Sequence, residues 1–184
     1  GLLSILIGVF CAWVIACCEF PLKKFFEWAL ILPLAIPTYV SAYAYFDILE
    51  LSNPILIWVR ENINLEAMQS LNSFFVYFFT ILVLSSVLYP YIYLLAKASF
   101  LKQGNQLIEA GLSLGHNINE IFWKIALPMA RPAVFAGLSL VIMETLNDYG
   151  AVKHFGIPTF TSGIFRTWLG MGDMSGALKL AAYL

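Results

Sequence analysis

The sequence predicts an all-α fold, a polytopic transmembrane helical bundle, and three observations carry that prediction. Of 184 residues, 61% are hydrophobic and 11% charged, with a mean hydropathy of +0.83, more apolar surface than a soluble domain of this length can bury. The apolar residues fall in runs about long enough to cross a ~30 Å hydrocarbon core as helices. The few cations gather in small groups at the ends of those runs. A net charge of −1 supplies no basic field, so nucleic-acid binding is not expected.

Residues 1–18 are nearly free of polar groups and form the first expected span. Cys11, Cys17 and Cys18 lie in it without CxxC spacing or nearby histidines. They read as small apolar residues, not as disulfide partners, metal ligands or redox groups. Residues 19–24, charged and broken by Pro21, make a tight loop at a membrane surface.

Residues 25–49 are the second span and carry Pro33 and Pro37. Two prolines four apart remove backbone donors and kink or break a helix, which a membrane tolerates where the freed carbonyls face protein or a water-lined cavity. Tyr39, Ser41, Tyr43 and Tyr45 follow. Two readings stay open: a kinked helix lining a pathway, with Pro33, Pro37 and Tyr43 on it, or a packing kink followed by an interfacial tyrosine belt.

Residues 50–72 read as a loop, with a turn at Asn53-Pro54 and a short amphipathic piece over 55–60. Residues 73–95 are the third span, interrupted at Tyr89-Pro90-Tyr91. The fourth, 132–146, starts at Arg131-Pro132, since proline suits a first helical position. Glu144 and Asp148 stand at its end. An ionised acid deep in a bilayer costs roughly 2.5–3.5 kcal/mol, so Glu144 is expected to face the protein interior or a water-filled cavity. It is either a translocation-path residue or part of a structural ion pair or an interface. Residues 150–176 are punctuated by glycine, too polar to span and too apolar for a free linker, and are expected to dip back against the bundle. The start inside an apolar run and the span-like residues 178–184 predict a fragment cut at both ends, a single transmembrane domain over 1–184.

Between the third and fourth spans lies a stretch of another kind, EAGLSLGHNINEIFWKIALP, residues 109–128 of a segment covering 102–130. It reads as two short helices around a glycine turn. Asn105 can cap the first, where Glu109 is the only charge and Ala110, Gly111 and Gly115 leave room for close backbone approach. Asn117 followed by Glu120 has capping-box spacing, so the second helix starts just after Gly115. Ile118, Ile121, Phe122 and Ile125 then share one apolar face while Asn119, Glu120, Trp123 and Lys124 point elsewhere. Pro128 is expected to stop that helix.

Lys23, Lys24, Lys97, Lys102, Lys124 and Arg131 fall on one side of this topology, against Arg60, Lys153 and Arg166 on the other. The positive-inside rule therefore puts 109–128 in the cytoplasm. No glycine loop with Lys-Ser or Lys-Thr is present to hold ATP. His116 and His154 are isolated from each other, which argues against a histidine metal cluster. No Ser-His-Asp order or Cys-His pair stands out, so no enzyme site is expected.

The spacing Glu109-Ala110-Gly111, then Gly115, Ile125, Leu127 and Pro128, resembles the EAA loop of permease subunits in bacterial binding-protein-dependent ABC importers, with Gly111 in place of the second Ala. That replacement removes only a methyl and leaves the likeness intact. The stretches 32–45, 88–96, 143–150, 161–168 and 170–173 look like the ferric-iron permeases of this superfamily. The resemblance implies a five-helix core, usually two such halves in one polypeptide, in the inner membrane. It implies that the loop docks on a separate ATPase dimer, where Glu109 can meet a basic residue, Gly115 makes the turn, and Ile125, Leu127 and Pro128 fix the second helix. It further implies a periplasmic substrate-binding protein, a second permease half and surrounding lipid as partners. ATP would sit on the ATPase, and this chain would bind no cofactor. Thiamine, sulfate, molybdate and polyamine importers share the loop. Hard oxygen ligands such as Glu144, Asp148 and the tyrosines suit Fe³⁺, but in this class a separate binding protein selects the cargo. A passive channel or membrane scaffold is the reading from another class, and it would not need an exposed docking unit.

Overall fold

The structure is a computed structural model that describes residues 1–50, 54, 57, 58, 61 and 65–184. No strand occurs among them. Contacts divide the chain into two compact units, Gly1–Ala35 with Leu88–Met143 and Ile36–Val87 with Glu144–Leu184.

In the first unit, α1 (Leu2–Cys17) occupies the first expected span but, at 16 residues, is shorter than the helices long enough to cross a membrane. It meets α4 (Leu65–Ser113), one of two helices that run through both units. Gly8 makes the approach possible: a Cβ there would lie 2.9 Å from the Ile92 Cβ and 3.0 Å from the Tyr89 carbonyl oxygen. Gly137 of α6 (Leu127–Asn147) does the same, since its Cβ would lie 2.8 Å from the Ile92 Cα. Small residues let helix backbones close up where lipid gives no hydrophobic drive to associate. Ile92, Tyr93 and Ala96 are fully buried there with Ala12 and Ala130. The loop expected at 19–24 is shorter, because α2 (Lys23–Ala29) already begins at Lys23. Glu27 of α2 pairs with Lys97, and the Tyr93 hydroxyl donates to the Glu27 carbonyl at 3.3 Å.

Three expectations about the spans are corrected. Residues 25–49 are not one kinked helix: α2 ends at Ala29, a 3-10 turn takes Leu32–Ala35, and α3 (Thr38–Glu50) starts after Pro37. Two prolines four apart remove donors from consecutive turns, and no α-helical register bridges both. The third span is not interrupted at Pro90, nor does it wait until residue 73. α4 starts at Leu65 and passes straight through Pro90, whose ring is fully buried, so packing offsets the lost hydrogen bond. The break comes at Gly104, where φ is 69° and ψ 166°. The fourth span does not start at Pro132, because helix runs from Ile118 to Asn147 as α5 (Ile118–Ile121), a π turn (Phe122–Ala126) and α6. Leu65–Gly104 and Ile118–Asn147 are long and apolar enough to cross a membrane, and a third crossing is counted if the broken stretch Lys23–Ala35 plus Thr38–Tyr45 is one span. The loop expected over 50–72, with its Asn53-Pro54 turn and amphipathic piece, lies mostly outside the described residues.

The second unit has its own core of Ala42 from α3, Val83 from α4, and Ala151 and Phe155 at α7 (Gly150–His154). Of residues 150–176, expected to dip back, Ala151, Phe155 and Ile157 pack against α3 and α4, and the rest forms short helices. α8 (Phe160–Phe165) is capped reciprocally: Ser162 N–H donates to the Thr159 hydroxyl at 3.2 Å, and Thr159 N–H to the Ser162 hydroxyl at 2.8 Å. The Thr161 hydroxyl donates to the Leu146 carbonyl. After a second π turn (Arg166–Gly170), Asp173 caps α9 (Met174–Ala181) by accepting from Gly176 N–H at 2.8 Å. The residues expected to open a further span, 178–184, complete α9 and a closing turn.

Candidate functional site

The first unit carries a helical pair over residues 105–121 with one side exposed, at Glu109, Ala110 and 112–115, and the other packed, at Gly111 and Ile121. The end of α4 is closed by a Schellman motif: His116 N–H donates to the Gly111 carbonyl at 3.0 Å and Gly115 N–H to the Leu112 carbonyl at 2.9 Å. Gly115 carries φ 83°, so the glycine turn lies where the sequence puts it. α5 then starts on Asn117, whose N–H donates to the Glu120 carboxylate at 3.3 Å. Glu120 also accepts from Lys124 at 3.1 Å and lies 3.1 Å from His116 Nδ1. The Lys124 ammonium, His116 and the Asn117 N–H thus surround the Glu120 carboxylate.

Glu109 and Ala110 are exposed, and so are Leu112, Leu114 and Ile118. Gly111 faces inward. A methyl there would sit 2.7 Å from the Ile121 side chain, which is fully buried. An alanine at this position would therefore require the Ile121 side chain to shift its Cδ1 and Cγ1 atoms, while the Ile121 Cβ stands clear at 3.8 Å. The expected apolar face is corrected. Ile121 is buried and Phe122 and Ile125 half-buried, but Ile118 is exposed. A spacing of i, i+3, i+4, i+7 assumes 3.6 residues per turn, and the π turn falls behind that pitch, so positions 118 and 125 no longer share a side.

Pro128 does not stop the helix. In the π turn, Leu127 N–H reaches back five residues to the Phe122 carbonyl. The widened turn moves aside the backbone that a proline ring in the next turn would strike. Leu127 and Pro128 are half-buried. Trp13 of α1 packs on both sides of the bend, 5.3 Å from Phe100 and 4.9 Å from Phe122 between ring centroids. The capping proposed for Asn105 falls on a side chain outside the described residues. Gln103 and Gly104, which sequence reasoning passed over, stand at the base of the pair. A glycine between Lys102-Gln103 and Asn105, closing an apolar-rich helical run of 40 residues, was the signal available.

The pathway candidates are placed separately. Pro33 is half-buried in the first unit. In the second, Tyr43 is exposed and stacks on His154 at 4.8 Å, Pro37 and Glu144 are exposed, and Asp148 Oδ1 accepts from Ala151 N–H at 3.0 Å, capping α7. The other Asp148 oxygen is buried with no hydrogen-bond partner among the described residues. No group of three or more His, Cys, Asp or Glu able to hold a metal occurs among the described residues.

Two apolar helices of spanning length, and a third crossing if the broken stretch is one span, define a multi-pass helical membrane protein. The chain belongs to the family described as binding-protein-dependent transport system inner membrane component, which it matches over residues 4–172. It is a multi-pass protein of the cytoplasmic (inner) membrane. It is 29% identical over 181 residues to the Fe(3+)-transport system permease protein FbpB 2 of Haemophilus influenzae, covering 98% of this chain and 31% of that protein. It is 26% identical over 150 residues to the sulfate transport system permease protein CysW of Escherichia coli, covering 82% and 49%. To the molybdenum transport system permease protein ModB of Escherichia coli it is 26% identical over 187 residues, covering 97% and 78%. The chain thus spans about a third of the iron-transport relative and about half of the sulfate-transport ones.

Proposed function

We propose that this chain is the membrane-spanning part of an ATP-driven importer, a permease without catalytic residues of its own, and that residues 102–130 couple it to a separate ATPase dimer in the cytoplasm. The observation that carries this reading is the exposed helical pair with Glu109 and Ala110 on its open side. A lone acid beside small residues suits a basic groove, and exposed Leu112 and Leu114 supply apolar contact around it. Glu109 would face the ATPase, Gly111 and Gly115 would shape the pair, and Ile125, Leu127 and Pro128 would anchor it to α6. Closure of the ATPase dimer on ATP would move the pair as a lever on the spans. Pro33, Pro37, Tyr43, Glu144 and Asp148 are assigned to the path. A periplasmic binding protein would deliver the cargo, and a second permease half, in the same full-length chain or a homologous subunit, would complete the channel.

Ferric iron is the cargo we favour, because the iron-transport relative matches nearly the whole chain at the highest identity of the three compared. Sulfate or molybdate is the second reading, on the 26% relatives. The test is Glu109→Lys in the full-length permease, with ATPase copurification and radiolabelled iron, sulfate and molybdate uptake as readouts. Charge reversal is expected to abolish uptake and weaken copurification at least tenfold, about 1.4 kcal/mol. Unaltered association and uptake would overturn the coupling role, and uptake without any ATPase would establish a passive channel. Which label accumulates decides the cargo.

A further inference from the structure

The exposed pair is bounded by two irregular points, Gly104 in α4 and the π turn Phe122–Ala126, and one side chain joins them. Gly104 has a backbone conformation that only glycine adopts without strain. A Cβ there would meet nothing within 4 Å, so the backbone and not crowding requires glycine. π turns inserted in long helices are local bends found frequently at functional sites. Gln103, the residue just before the break, donates from Nε2 to the Ala126 carbonyl at 3.2 Å. Ala126 is fully buried and closes the π turn. Trp13 packs between Phe100, a turn before Gly104, and Phe122, the first residue of the π turn. A cavity of about 30 Å³ beside the break, lined by Trp13, Cys17, Gln103, Gly104 and Leu107, leaves slack on that side.

We propose that the Gln103–Ala126 hydrogen bond latches these two bends into one hinge, so that residues 105–121 swing as a single body. Without the latch, each end of the pair would bend by itself, and a push on its tip would be absorbed there instead of reaching α4 and α6 together. Gln103 is thus a positioning residue, acting through the π turn and not by touching cargo or nucleotide. That the swing serves transport rests on the coupling reading above; that the bends are joined does not.

The test uses the full-length permease with its ATPase in nanodiscs, and compares Gln103→Leu, Gln103→Glu, which keeps the shape and loses the donor, and Gln103→Lys, which keeps a donor. Amide exchange is followed at 104–108 and at 122–127. Leu and Glu are expected to speed exchange at both places together, by about fivefold, the factor one ordinary hydrogen bond corresponds to, with Lys restoring most of the protection. The ATP hydrolysed per substrate imported is expected to rise by a similar factor while ATPase copurification stays unchanged, a combination that simple loss of fold does not produce. Exchange that rises at one place only, or at neither, overturns the latch. Glu109→Lys separates the two claims: it is expected to lose the ATPase with exchange at both bends unchanged. If it keeps the ATPase, the coupling reading falls and the exchange data still judge the hinge.

Discussion

Ile92 is gripped from two sides by glycines, Gly8 of α1 and Gly137 of α6, and the two contacts set how closely those helices approach α4. A methyl at 137 has no flexible side-chain tip to displace, because the nearest atom is the Ile92 Cα at 2.8 Å. Gly137→Ala is therefore expected to destabilise the protein by about 1–3 kcal/mol, the usual consequence of overpacking. Gly163 of α8 is the control: a Cβ there meets nothing within 4 Å and its φ is ordinary, so Gly163→Ala is expected to stabilise by about 0.5–1 kcal/mol. Reversible unfolding in detergent measures both, and equal effects would remove the close-approach argument. The sequence could flag such glycines but could not tell them apart. At Gly111 the nearest atoms are the Cδ1 and Cγ1 of Ile121, ten positions away across a turn, a neighbour the local sequence does not announce.

At the scale of elements, what was legible was local. The Gly115 turn and the Asn117–Glu120 cap are satisfied within a few residues of themselves, and both stand where the spacing puts them. The failures come from prolines, whose effect depends on what surrounds them: Pro90 is absorbed by a packed core, and Pro128 by a π turn that no hydrophobic period announces. The tie between α2 and α4 was equally invisible, since Glu27 and Lys97 sit seventy residues apart. Lys97 is 13% exposed and Glu27 36%, so the pair is partly shielded from water and salt. Lys97→Met is expected to cost about 1–3 kcal/mol, less than for a fully buried pair because Glu27 keeps access to solvent. Glu27→Gln, whose amide oxygen still accepts from Lys97, is expected to cost less. Thermal unfolding of the two variants checks the order, and a reversed order would mean that the charge on Lys97 is not what holds α2 in place.

For the whole molecule the open physical question is which side of the membrane the exposed pair faces, and the first unit contains an internal check. Lys23, Lys24, Lys97, Lys102, Lys124 and Arg131 all belong to it, and the positive-inside rule acts on lysine and arginine near span ends. Continuous helix from Ile118 to Asn147 is about 45 Å long at 1.5 Å per residue, more than a ~30 Å core needs. Its first turns, with Glu120 and Lys124, can therefore stay outside the hydrocarbon. An even number of crossings between α2 and the pair requires both to face one side. Phe25 is 65% exposed and Leu114 77%, so each accepts a label without disturbing a core. With Cys11, Cys17 and Cys18 first replaced by alanine, Phe25→Cys and Leu114→Cys are expected to react with a membrane-impermeant maleimide in inside-out vesicles and to be protected in intact spheroplasts. Labelling of Leu114→Cys from outside would invert the topology and leave no ATPase within reach of Glu109. If the two positions faced opposite sides, the broken stretch between α2 and α3 would not be a full crossing, and the span count itself would change.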